Sequence, residues 1–345
     1  MNKKVLLGMS GGVDSSVAAY LLKSQGYEVV GLHFTLESGK ADASDVVSVA
    51  EKLGIQLHFA DFSKEFESGV LAPFVAAYAC GKTPNICVEC NKKIKFGLMR
   101  EYAYALGCDY VATGHYCAIT NVYGNFYLTK PVDKEKDQTY FLHGLNEAVL
   151  SKTLFPLSRL TKPEVRAIAE REGLITAHKK GSSDICIMGD RSFSEFIGGY
   201  LGENEGEIVD DKGNVVGRHK GIFNYTLGQR KGLDLGGRSG EDGRWFVIGK
   251  DAAKNRLIVS HGDESALFTD KVLVKDFNFI NGTPSANRFD CLAKTRYRQT
   301  AAEATVIVCS DVVEVRFKER IRAATAGQYC VLYDGDVCIG GGEII

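Results

Sequence analysis

A loop rich in glycine and serine near the amino terminus constrains the fold more than any other feature of the sequence. It runs from Gly8 to Ser16, between a short apolar run, Val5 to Met9, and a segment from Asp14 to Gln25 whose apolar residues have helical spacing. Gly26 follows as a helix stop signal. The pattern predicts a β-strand, a tight loop and a helix, which is the first step of an α/β fold.

The same alternation continues through about the first 115 residues. The predicted helices are Ser44 to Leu53 and Asn91 to Leu106, and the predicted strands are Tyr27 to Phe34, Ile55 to Ala60 and Asp109 to Thr113. Repeated β-α steps produce a parallel sheet with helices on both faces, so we predict a parallel, doubly wound α/β domain. Such sheets bind ligands at the carboxyl ends of their strands.

The second half of the chain has a different pattern. A hairpin is predicted around Tyr123-Gly124-Asn125 and a helix over Val165 to Glu172, but from about Gly206 onward the segments are short, β-branched and separated by Gly, Asp and Asn turns. This pattern is typical of antiparallel β structure, and its length suits two small domains. We therefore predict domains over residues 1–203 (α/β), 204–268 and 269–345 (both small antiparallel β).

Charge and cysteine content restrict the partners and the location. Forty-two Lys and Arg residues nearly balance 43 Asp and Glu residues, so nucleic acid would have to bind through local basic patches. The amino-terminal residues do not form the apolar stretch of a secretory leader, and no apolar run approaches the roughly 18 residues of a membrane span. We expect a cytoplasmic protein with no membrane partner, whose ten cysteines are reduced, catalytic or metal-binding.

The glycine-rich loop has the composition of a phosphate site. Glycines let the backbone approach an anion, Ser10, Ser15 and Ser16 add hydroxyl donors, and the helix start presents unpaired N–H groups. The loop lacks the lysine of a Walker A motif and the third glycine of a G-x-G-x-x-G motif. The simpler alternative is a glycine-rich turn that only caps the helix.

Two cysteines occur in contexts that favour chemistry. Cys90 comes at the predicted start of a helix beside Lys92 and Lys93, where the helix dipole and both ammonium groups would stabilise a nucleophilic thiolate. Cys186 lies in a polar loop. Cys87 and Cys90 also have the spacing of half a zinc site, although the sequence has no second C-x-x-C pair.

The loop residues Ser10 to Ser15 match S-G-G-x-D-S, the signature of the PP-loop ATP pyrophosphatases, and the chain resembles that superfamily. Further motifs narrow the resemblance to the bacterial tRNA-specific 2-thiouridylases, over essentially the whole chain. These motifs are T-P-N…C-N-K-x-I-K-F (Thr83 to Phe96), A-T-G-H-Y (Ala112 to Tyr116), K-D-Q-[ST]-Y-F-L (Lys136 to Leu142), D-I-C (Asp184 to Cys186), L-G-Q-R-K-G-L (Leu227 to Leu233) and R-Y-R-Q (Arg296 to Gln299).

The resemblance implies a Rossmann-like PP-loop domain that binds ATP and Mg²⁺. Cys90 matches the family's nucleophile and Cys186 its persulfide-bearing cysteine, and the two would form a disulfide during the reaction. Asp14 is the candidate for magnesium, and the nucleotide-binding positions would be Gly8, Met9, Ser10, Gly11, Gly12, Val13, Asp14, Ser15, Phe34 and Gly114. The positions that would contact the target base or the tRNA are Asn85, Ile86, Cys87, Lys136, Asp137, Gln138, Arg296 and Tyr297.

The implied function is ATP-dependent 2-thiolation of the wobble uridine in the tRNA anticodon. ATP would convert the C2 oxygen of the base to an adenylate, because that oxygen is a poor leaving group, and sulfur would then displace AMP. The sulfur would come from a persulfide on Cys186, loaded by a cysteine desulfurase or a sulfur-relay protein. The base must leave the anticodon stack to react.

One departure from the family leaves another mechanism open. The family commonly has Asn-Pro-Asp before the nucleophile, whereas this chain has Asn85-Ile86-Cys87 and lacks that carboxylate. In a cluster-dependent thiolase, Cys87, Cys90 and Cys186 would hold three irons of a [4Fe-4S] cluster. Two further alternatives use the same loop: a PP-loop ligase or amidotransferase that adenylates a small metabolite, and a tRNA-binding module without catalysis.

Overall fold

The computed structural model describes residues 3–37, 43–179, 186–189, 191–236 and 243–345. The α-helices are α1 (Val13–Ser24), α2 (Ser44–Leu53), α3 (Ser63–Phe66), α4 (Ala72–Ala79), α5 (Ile86–Cys90), α6 (Met99–Ala105), α7 (Glu147–Leu150), α8 (Lys162–Arg171) and α9 (Phe193–Leu201). The π-helical segments Glu67–Leu71 and Asn91–Leu98 join α3 to α4 and α5 to α6. Short 3₁₀ turns occur at Lys134–Lys136, Thr139–Leu142, Cys186–Met188, Ile222–Asn224 and Ser265–Leu267.

The described strands form a parallel sheet, a small central sheet and a larger sheet that closes into a barrel. In chain order they are β1 (Lys4–Gly8), β2 (Glu28–Thr35), β3 (Gln56–Asp61), β4 (Tyr110–Ala112), β5 (Ala118–Val122), β6 (Asn125–Thr129), β7 (Thr153–Leu154), β8 (Gly206–Asp210), β9 (Val215–His219), β10 (Trp245–Asp251), β11 (Arg256–His261), β12 (Phe268–Phe279), β13 (Arg288–Lys294), β14 (Ala302–Val308), β15 (Val313–Arg322), β16 (Tyr329–Asp334) and β17 (Val337–Ile344).

The first sheet is parallel in every described pairing, with the strand order β3-β2-β1-β4-β7. Val5 and Leu7 of the central strand β1 pack into the core on one face, and Leu6 packs into the core on the other. This arrangement confirms the predicted doubly wound α/β fold. The chain order reverses between β1 and β4, and the crevice at the carboxyl ends of these two strands is the expected ligand site.

Part of the helical layer is missing from the sequence prediction. Helices α3 and α4 with their π-helical link cover residues 63–79, where Phe66, Val70, Phe74 and Tyr78 are buried. These side chains recur at every fourth residue, which is a helical signal. The predicted helix over Ser44 to Leu53 is confirmed as α2.

From Gly206 onward the described residues form small β domains, as predicted, although one strand pair departs from the predicted antiparallel order. The central sheet has the order β10-β11-β8-β9 and is antiparallel except for β8 and β11, which are parallel. Strands β12 to β17 close into a barrel, because β12 pairs with both β15 and β17. The predicted hairpin, β5 and β6, extends the barrel sheet by pairing with β17.

A shared core fixes the barrel against the α/β domain. Tyr140 packs with Tyr333 and Cys338 of the barrel, and all three are fully buried. Asn278 in β12 donates to the backbone oxygens of His143 and Leu145 at 2.7 Å. The barrel is therefore held in one position relative to the sheet whose carboxyl edge forms the candidate site.

Candidate active site

The phosphate loop begins at the end of β1 and passes directly into α1. Gly11 has a φ of 73°, a left-handed conformation that glycine adopts without strain. Ser10 N donates to Ser15 Oγ at 3.2 Å, and Ser15 Oγ lies 3.1 Å from the Gly12 carbonyl oxygen, to which it donates. Gly12, which caps α1, has no side chain to satisfy the first N–H groups of the helix. These groups and the serine hydroxyls form the donor set of an anion site.

Gly114, predicted to flank the nucleotide, packs directly on this loop. It follows β4, and a Cβ atom at this position would lie 3.0 Å from both the Asp14 carbonyl carbon and Ser15 N. This distance is tighter than most real Cβ contacts, so any larger residue at position 114 would require the loop backbone to shift by a few tenths of an ångström.

The other predicted nucleotide positions contribute in different ways. Met9 and Val13 are both 3% exposed and belong to the core, so they offer only backbone groups to a ligand. Gly8 packs against Met99, whose sulfur would lie 3.1 Å from an added Cβ. Phe34, near the end of β2, is half-buried, with its ring 5.4 Å from the ring of Phe62.

Asp14 lies in the first turn of α1 and is held by two residues distant in sequence. Tyr116 Oη donates to its Oδ1 at 2.8 Å, and Lys162 Nζ donates to the same oxygen at 2.5 Å. Burial, together with the negative charge of Asp14, raises the pKa of Tyr116. Mg²⁺ is usually bound by one or two carboxylates together with substrate phosphates, so Asp14 fits the predicted role of magnesium ligand. Sequence analysis missed Lys162, which is 148 positions away.

A second cation reaches the loop from beyond α8. Lys179 Nζ donates to the Gly11 carbonyl at 3.1 Å and forms an ion pair with Asp45 in the first turn of α2. Arg166 in α8 donates to the backbone oxygens of Ala177 and Lys179 at 2.7 and 3.2 Å. Helix α8 therefore supports the segment that contacts the phosphate loop.

Cys90 lies at the end of the first turn of a continuous helix and not at its start. The helix begins one residue after Asn85, whose Oδ1 accepts a hydrogen bond from Cys87 N at 3.0 Å. Cys90 is 5% exposed, and burial raises its pKa to about 12. The prediction that the dipole, Lys92 and Lys93 lower this pKa is wrong, because burial dominates and both lysines are exposed to solvent.

Lys95 is the cation that opposes this effect of burial. The segment Asn91–Leu98 is π-helical, with i to i+5 hydrogen bonds, so Lys95 lies about one turn beyond Cys90, whereas in an α-helix it would be about 140° away around the axis. Its charge lowers the pKa of Cys87 and of Cys90, although burial has the larger, opposite effect. Sequence analysis named Lys92 and Lys93 instead, because they are closer to Cys90 in the sequence.

His115 connects the thiol region to the phosphate loop. It follows Gly114 directly, and its ring packs near Phe96 and Phe155, with centroids 6.1 and 6.3 Å apart. Burial, and to a smaller extent the charge of Lys95, holds the pKa of His115 well below its usual range. The charge of Lys95 therefore acts both on the thiols and on the residue that follows Gly114.

The structure brings Cys186 to the two helix thiols. Cys186 is exposed, and it lies close enough to Cys87 and Cys90 for its charge to raise the pKa of both. The predicted catalytic pair, Cys90 and Cys186, thus shares a site although 96 positions separate the two residues. Residues 180–185, which include the first two positions of the D-I-C motif, lie outside the described residues.

The described residues do not favour the iron-sulfur and zinc alternatives. Within the described ranges, no group of three or more His, Cys, Asp or Glu side chains is placed to hold a metal ion.

The residues predicted to contact the base or the tRNA are of two kinds. Ile86 is 3% exposed in the core and Asn85 caps α5, so both position the helix that carries the thiols. Cys87 is half-buried beside the other thiols. Tyr297 comes from the barrel and stacks on Phe141, with ring centroids 4.3 Å apart. Burial raises the pKa of Tyr297, and the nearby Cys87 thiol raises it further.

The K-D-Q motif is mostly structural. Asp137 is 6% exposed and accepts hydrogen bonds from Thr139 N and Oγ1 at 3.0 and 2.7 Å. Gln138 Oε1 accepts from Tyr116 N at 2.8 Å and so supports the residue that holds Asp14. Lys136 is exposed and is the member of the motif that is accessible to a large partner.

Arg296 joins the barrel to the central domain. Its guanidinium donates to the carbonyl oxygens of Ala323 and Leu227 at 2.6 and 3.3 Å and to Thr325 Oγ1 at 3.1 Å. These contacts favour a supporting role, whereas the neighbouring Arg298 is exposed. A tRNA contact by Arg296 stays a prediction.

The barrel also fixes the helix that carries the thiols. Thr83 N donates to the Ala326 carbonyl at 3.1 Å, and Gln328 donates back to the Thr83 carbonyl. Tyr329 Oη donates to Glu89 Oε1, in α5, at 3.1 Å. The carboxyl-terminal barrel is therefore part of the framework of the site.

Comparison with known proteins identifies the family. Family models match residues 3–190, described as tRNA methyl transferase HUP domain, residues 194–261, described as tRNA methyl transferase PRC-barrel domain, and residues 269–344, described as aminomethyltransferase beta-barrel domain. The chain is 47% identical to the tRNA-specific 2-thiouridylase MnmA of Methylobacillus flagellatus, over 100% of this chain and 99% of the relative. It is 49% identical to the MnmA of Halalkalibacterium halodurans, over 99% and 94%. The chain belongs to the tRNA-specific 2-thiouridylase family.

This confirms the family resemblance inferred from the motifs. In the parts of the chain that the structure describes, no helix is both long and apolar enough to cross a membrane. The domain boundaries placed after residues 203 and 268, and the individual site roles, stay predictions.

Proposed function

We propose that this protein replaces the C2 oxygen of the wobble uridine in a tRNA anticodon by sulfur, with ATP as the activating substrate. The observation that carries the proposal is the meeting of a phosphate loop and two thiols at one edge of the sheet. Gly114 packs on the loop, His115 follows it, and the charge of Lys95 acts on both His115 and Cys90. Family membership supplies the substrate class.

The first step is adenylation of the base. The C2 oxygen attacks the α-phosphorus of ATP, the bond from that phosphorus to the bridging oxygen breaks, and pyrophosphate leaves. The N–H groups at the start of α1 and the hydroxyls of Ser10 and Ser15 would hold the phosphates. Asp14 would hold Mg²⁺, which neutralises phosphate charge when bound.

The second step is sulfur transfer. The terminal sulfur of a persulfide on Cys186 adds to C2, Cys90 attacks Sγ of Cys186 as a thiolate, the bond between Sγ and the transferred sulfur breaks, and AMP leaves. The products are a 2-thiouridine and a disulfide between Cys90 and Cys186, which an external thiol must reduce before the next turnover. Cys186 suits the carrier role because it is exposed to a donor, whereas Cys90 is buried.

The partners follow from this chemistry. The base must leave the anticodon stack, and Tyr297 and Cys87 lie beside the thiols where it would enter. Exposed Lys136 and Arg298 are available to the tRNA backbone. A cysteine desulfurase or a sulfur-relay protein would load Cys186, and we place the reaction in the cytoplasm, where thiols keep cysteines reduced.

The word methyl transferase in the descriptions of two matched domain models does not alter this proposal. Methyl transfer requires neither a phosphate loop nor two neighbouring thiols. A ligase acting on a small metabolite would leave Cys186 and the barrel without a role.

Nucleoside analysis of unmodified tRNA, incubated with the protein, ATP, Mg²⁺ and a sulfur-loaded donor, tests the proposal. Wild-type protein should form 2-thiouridine, and Cys186→Ser should form it more than about 1000-fold more slowly while tRNA-dependent pyrophosphate release stays within about threefold. Cys309→Ser, which removes an exposed cysteine of the barrel, is the control and should behave as wild type. Thiolation by Cys186→Ser, or wild-type protein that releases no pyrophosphate, would contradict the proposal.

A further inference from the structure

The turn that carries Cys186 is anchored in the core although its thiol is exposed. Ile187 and Met188, the next two residues, are each 8% exposed and belong to the same core cluster as Cys90, which is 5% exposed. Cys186 itself is exposed at the start of this short 3₁₀ turn. The turn is therefore attached to the core that contains one thiol of the predicted catalytic pair, while the other thiol stays accessible.

Arg191 holds the backbone of this turn. Its Nε donates to the Met188 carbonyl oxygen at 3.0 Å, and its Nη2 donates to the Ile187 carbonyl oxygen at 2.9 Å. The same Nη2 lies 3.1 Å from Glu37 Oε1, with which Arg191 forms an ion pair. A guanidinium presents five N–H donors in a rigid plane, so one side chain can hold two consecutive carbonyls and a carboxylate at the same time.

The position of Arg191 is itself fixed. Arg191 directly precedes Ser192, the N-cap of α9, which forms a capping box with Glu195. Its guanidinium carbon lies 5.0 Å from the centroid of the Phe196 ring, and Phe196 is 1% exposed in the core. Arg191 thus connects the turn of Cys186 to a packed helix and, through its ion pair, to the segment that follows β2.

We propose that Arg191 is a positioning residue for sulfur transfer: it holds the turn of Cys186 in the orientation that keeps this thiol within reach of Cys90. The inference rests on the proposed function, because it assumes that these two thiols react with each other. An exposed turn without such restraints would open more easily, and the effective concentration of one thiol at the other would fall.

The contacts of Arg191 differ in weight. Its side chain is 41% exposed, so solvent screens the ion pair with Glu37, and an exposed pair of this kind contributes little. The hydrogen bonds from the charged guanidinium to the two carbonyls fix the turn directly. We therefore expect the arginine to matter more than the carboxylate that it binds.

The redox equilibrium of the thiol pair with glutathione, measured on the full-length protein without tRNA or ATP, tests the inference. Oxidised glutathione forms the bond between Cys90 Sγ and Cys186 Sγ, and two molecules of reduced glutathione leave with the two thiol protons. Mass spectrometry after acid quenching and alkylation quantifies the bridged peptides. Arg191→Met should lower the equilibrium constant for disulfide formation about tenfold, which corresponds to about 30 mV.

Further variants separate positioning from a general effect of charge. Glu37→Gln should lower the equilibrium constant by less than about threefold, since the hydrogen bonds to the turn remain. Arg191→Lys keeps the charge and should stay within about threefold of wild type, whereas Arg191→Gln lacks the planar fork and should show the loss seen in Arg191→Met. The matched control is Arg171→Met, at a 65% exposed arginine paired with its neighbour Glu172, and it should behave as wild type.

The thiolation assay separates failure of this inference from failure of the proposed function. Arg191→Met should form 2-thiouridine about tenfold more slowly while tRNA-dependent pyrophosphate release stays within about threefold of wild type. An unchanged or raised equilibrium constant for the disulfide in Arg191→Met and Arg191→Gln would overturn the inference and leave the proposed function standing. Wild-type protein that formed no 2-thiouridine would instead overturn the proposed function, and with it the role of Arg191 in sulfur transfer.

Discussion

The phosphate loop and the thiol site lie at the same edge of one sheet but are built on opposite principles. The loop consists of consecutive residues, and its donors are backbone N–H groups and short hydroxyls that contact one another directly. The thiol site combines a helix, a distant turn and a barrel residue, Tyr297. Its central thiol, Cys90, is buried, and burial disfavours the thiolate form that the proposed reaction requires. Phosphate binding by the loop depends on close contact between backbone atoms, whereas the reactivity of the thiols depends on the charge and burial of their surroundings.

This difference predicts which structural changes should impair each half of the proposed reaction. Binding of phosphates should be sensitive to displacements of a few tenths of an ångström, because the donors are fixed in the backbone. Reactivity of the thiols should be sensitive to charge and to the packing of the barrel, because these set the free energy of forming a thiolate.

The largest effect should come from adding a side chain where Gly114 contacts the backbone of the phosphate loop. Gly114→Ala places a Cβ atom 3.0 Å from Ser15 N, so the loop must shift, and ATP affinity should fall on the order of 10- to 100-fold. Gly198→Ala in α9, where an added Cβ meets nothing within 4 Å, is the matched control. Calorimetric titration with ATP measures both. Unchanged affinity in Gly114→Ala would show that the loop does not depend on this contact.

Acid should destabilise the packing of the barrel against the α/β domain, which supports the helix that carries the thiols. His143 is buried between the barrel and the α/β domain, and burial lowers its pKa from 6.5 to about 4. The folded state thus disfavours protonation of His143, whereas the unfolded state binds this proton below about pH 6.5. The stability that neutral His143 contributes is therefore complete above that pH and is lost as the pH falls towards 4. By pH 5 the loss should be about 2 kcal/mol.

Urea denaturation at pH 7 and pH 5 measures this loss. His143→Asn cannot titrate, so its free energy of unfolding should change by about 2 kcal/mol less between the two pH values than that of wild type. His178→Asn, at a histidine whose side chain is 86% exposed, should keep the wild-type change. A His143→Asn variant with the full wild-type change would exclude His143 as the source.

The smallest effect should come from the cation at the thiols. Removing the charge in Lys95→Met should raise the pKa of Cys90 further, and alkylation of Cys90 by iodoacetamide at pH 8, followed by mass spectrometry, should slow about tenfold. Lys95→Arg should keep the wild-type pH profile. Lys93→Met, at an exposed lysine paired with Glu89, should do the same, and a slowing equal to that of Lys95→Met would point to the helix as a whole.

The sequence allowed accurate prediction where the deciding contacts are local. The residues from Ser10 to Ser15 are consecutive, and Ser10 and Ser15 contact each other, so the motif was sufficient to predict a loop between a strand and a helix. The helix over Ser44 to Leu53 has its stop signal in the next residue. Lys162 could not be found, because its contact with Asp14 depends on how α8 packs on α1. The environment of Cys90 was predicted wrongly for the same reason, since burial comes from tertiary packing and not from neighbouring residues.

The contact between Lys179 and the Gly11 carbonyl also limits the reach of a distant thiol. Cys186 follows Lys179 by seven residues, a span of at most about 25 Å of extended chain. While the contact holds, the thiol that we propose as the sulfur carrier therefore stays within this distance of Lys179 and of the phosphate loop.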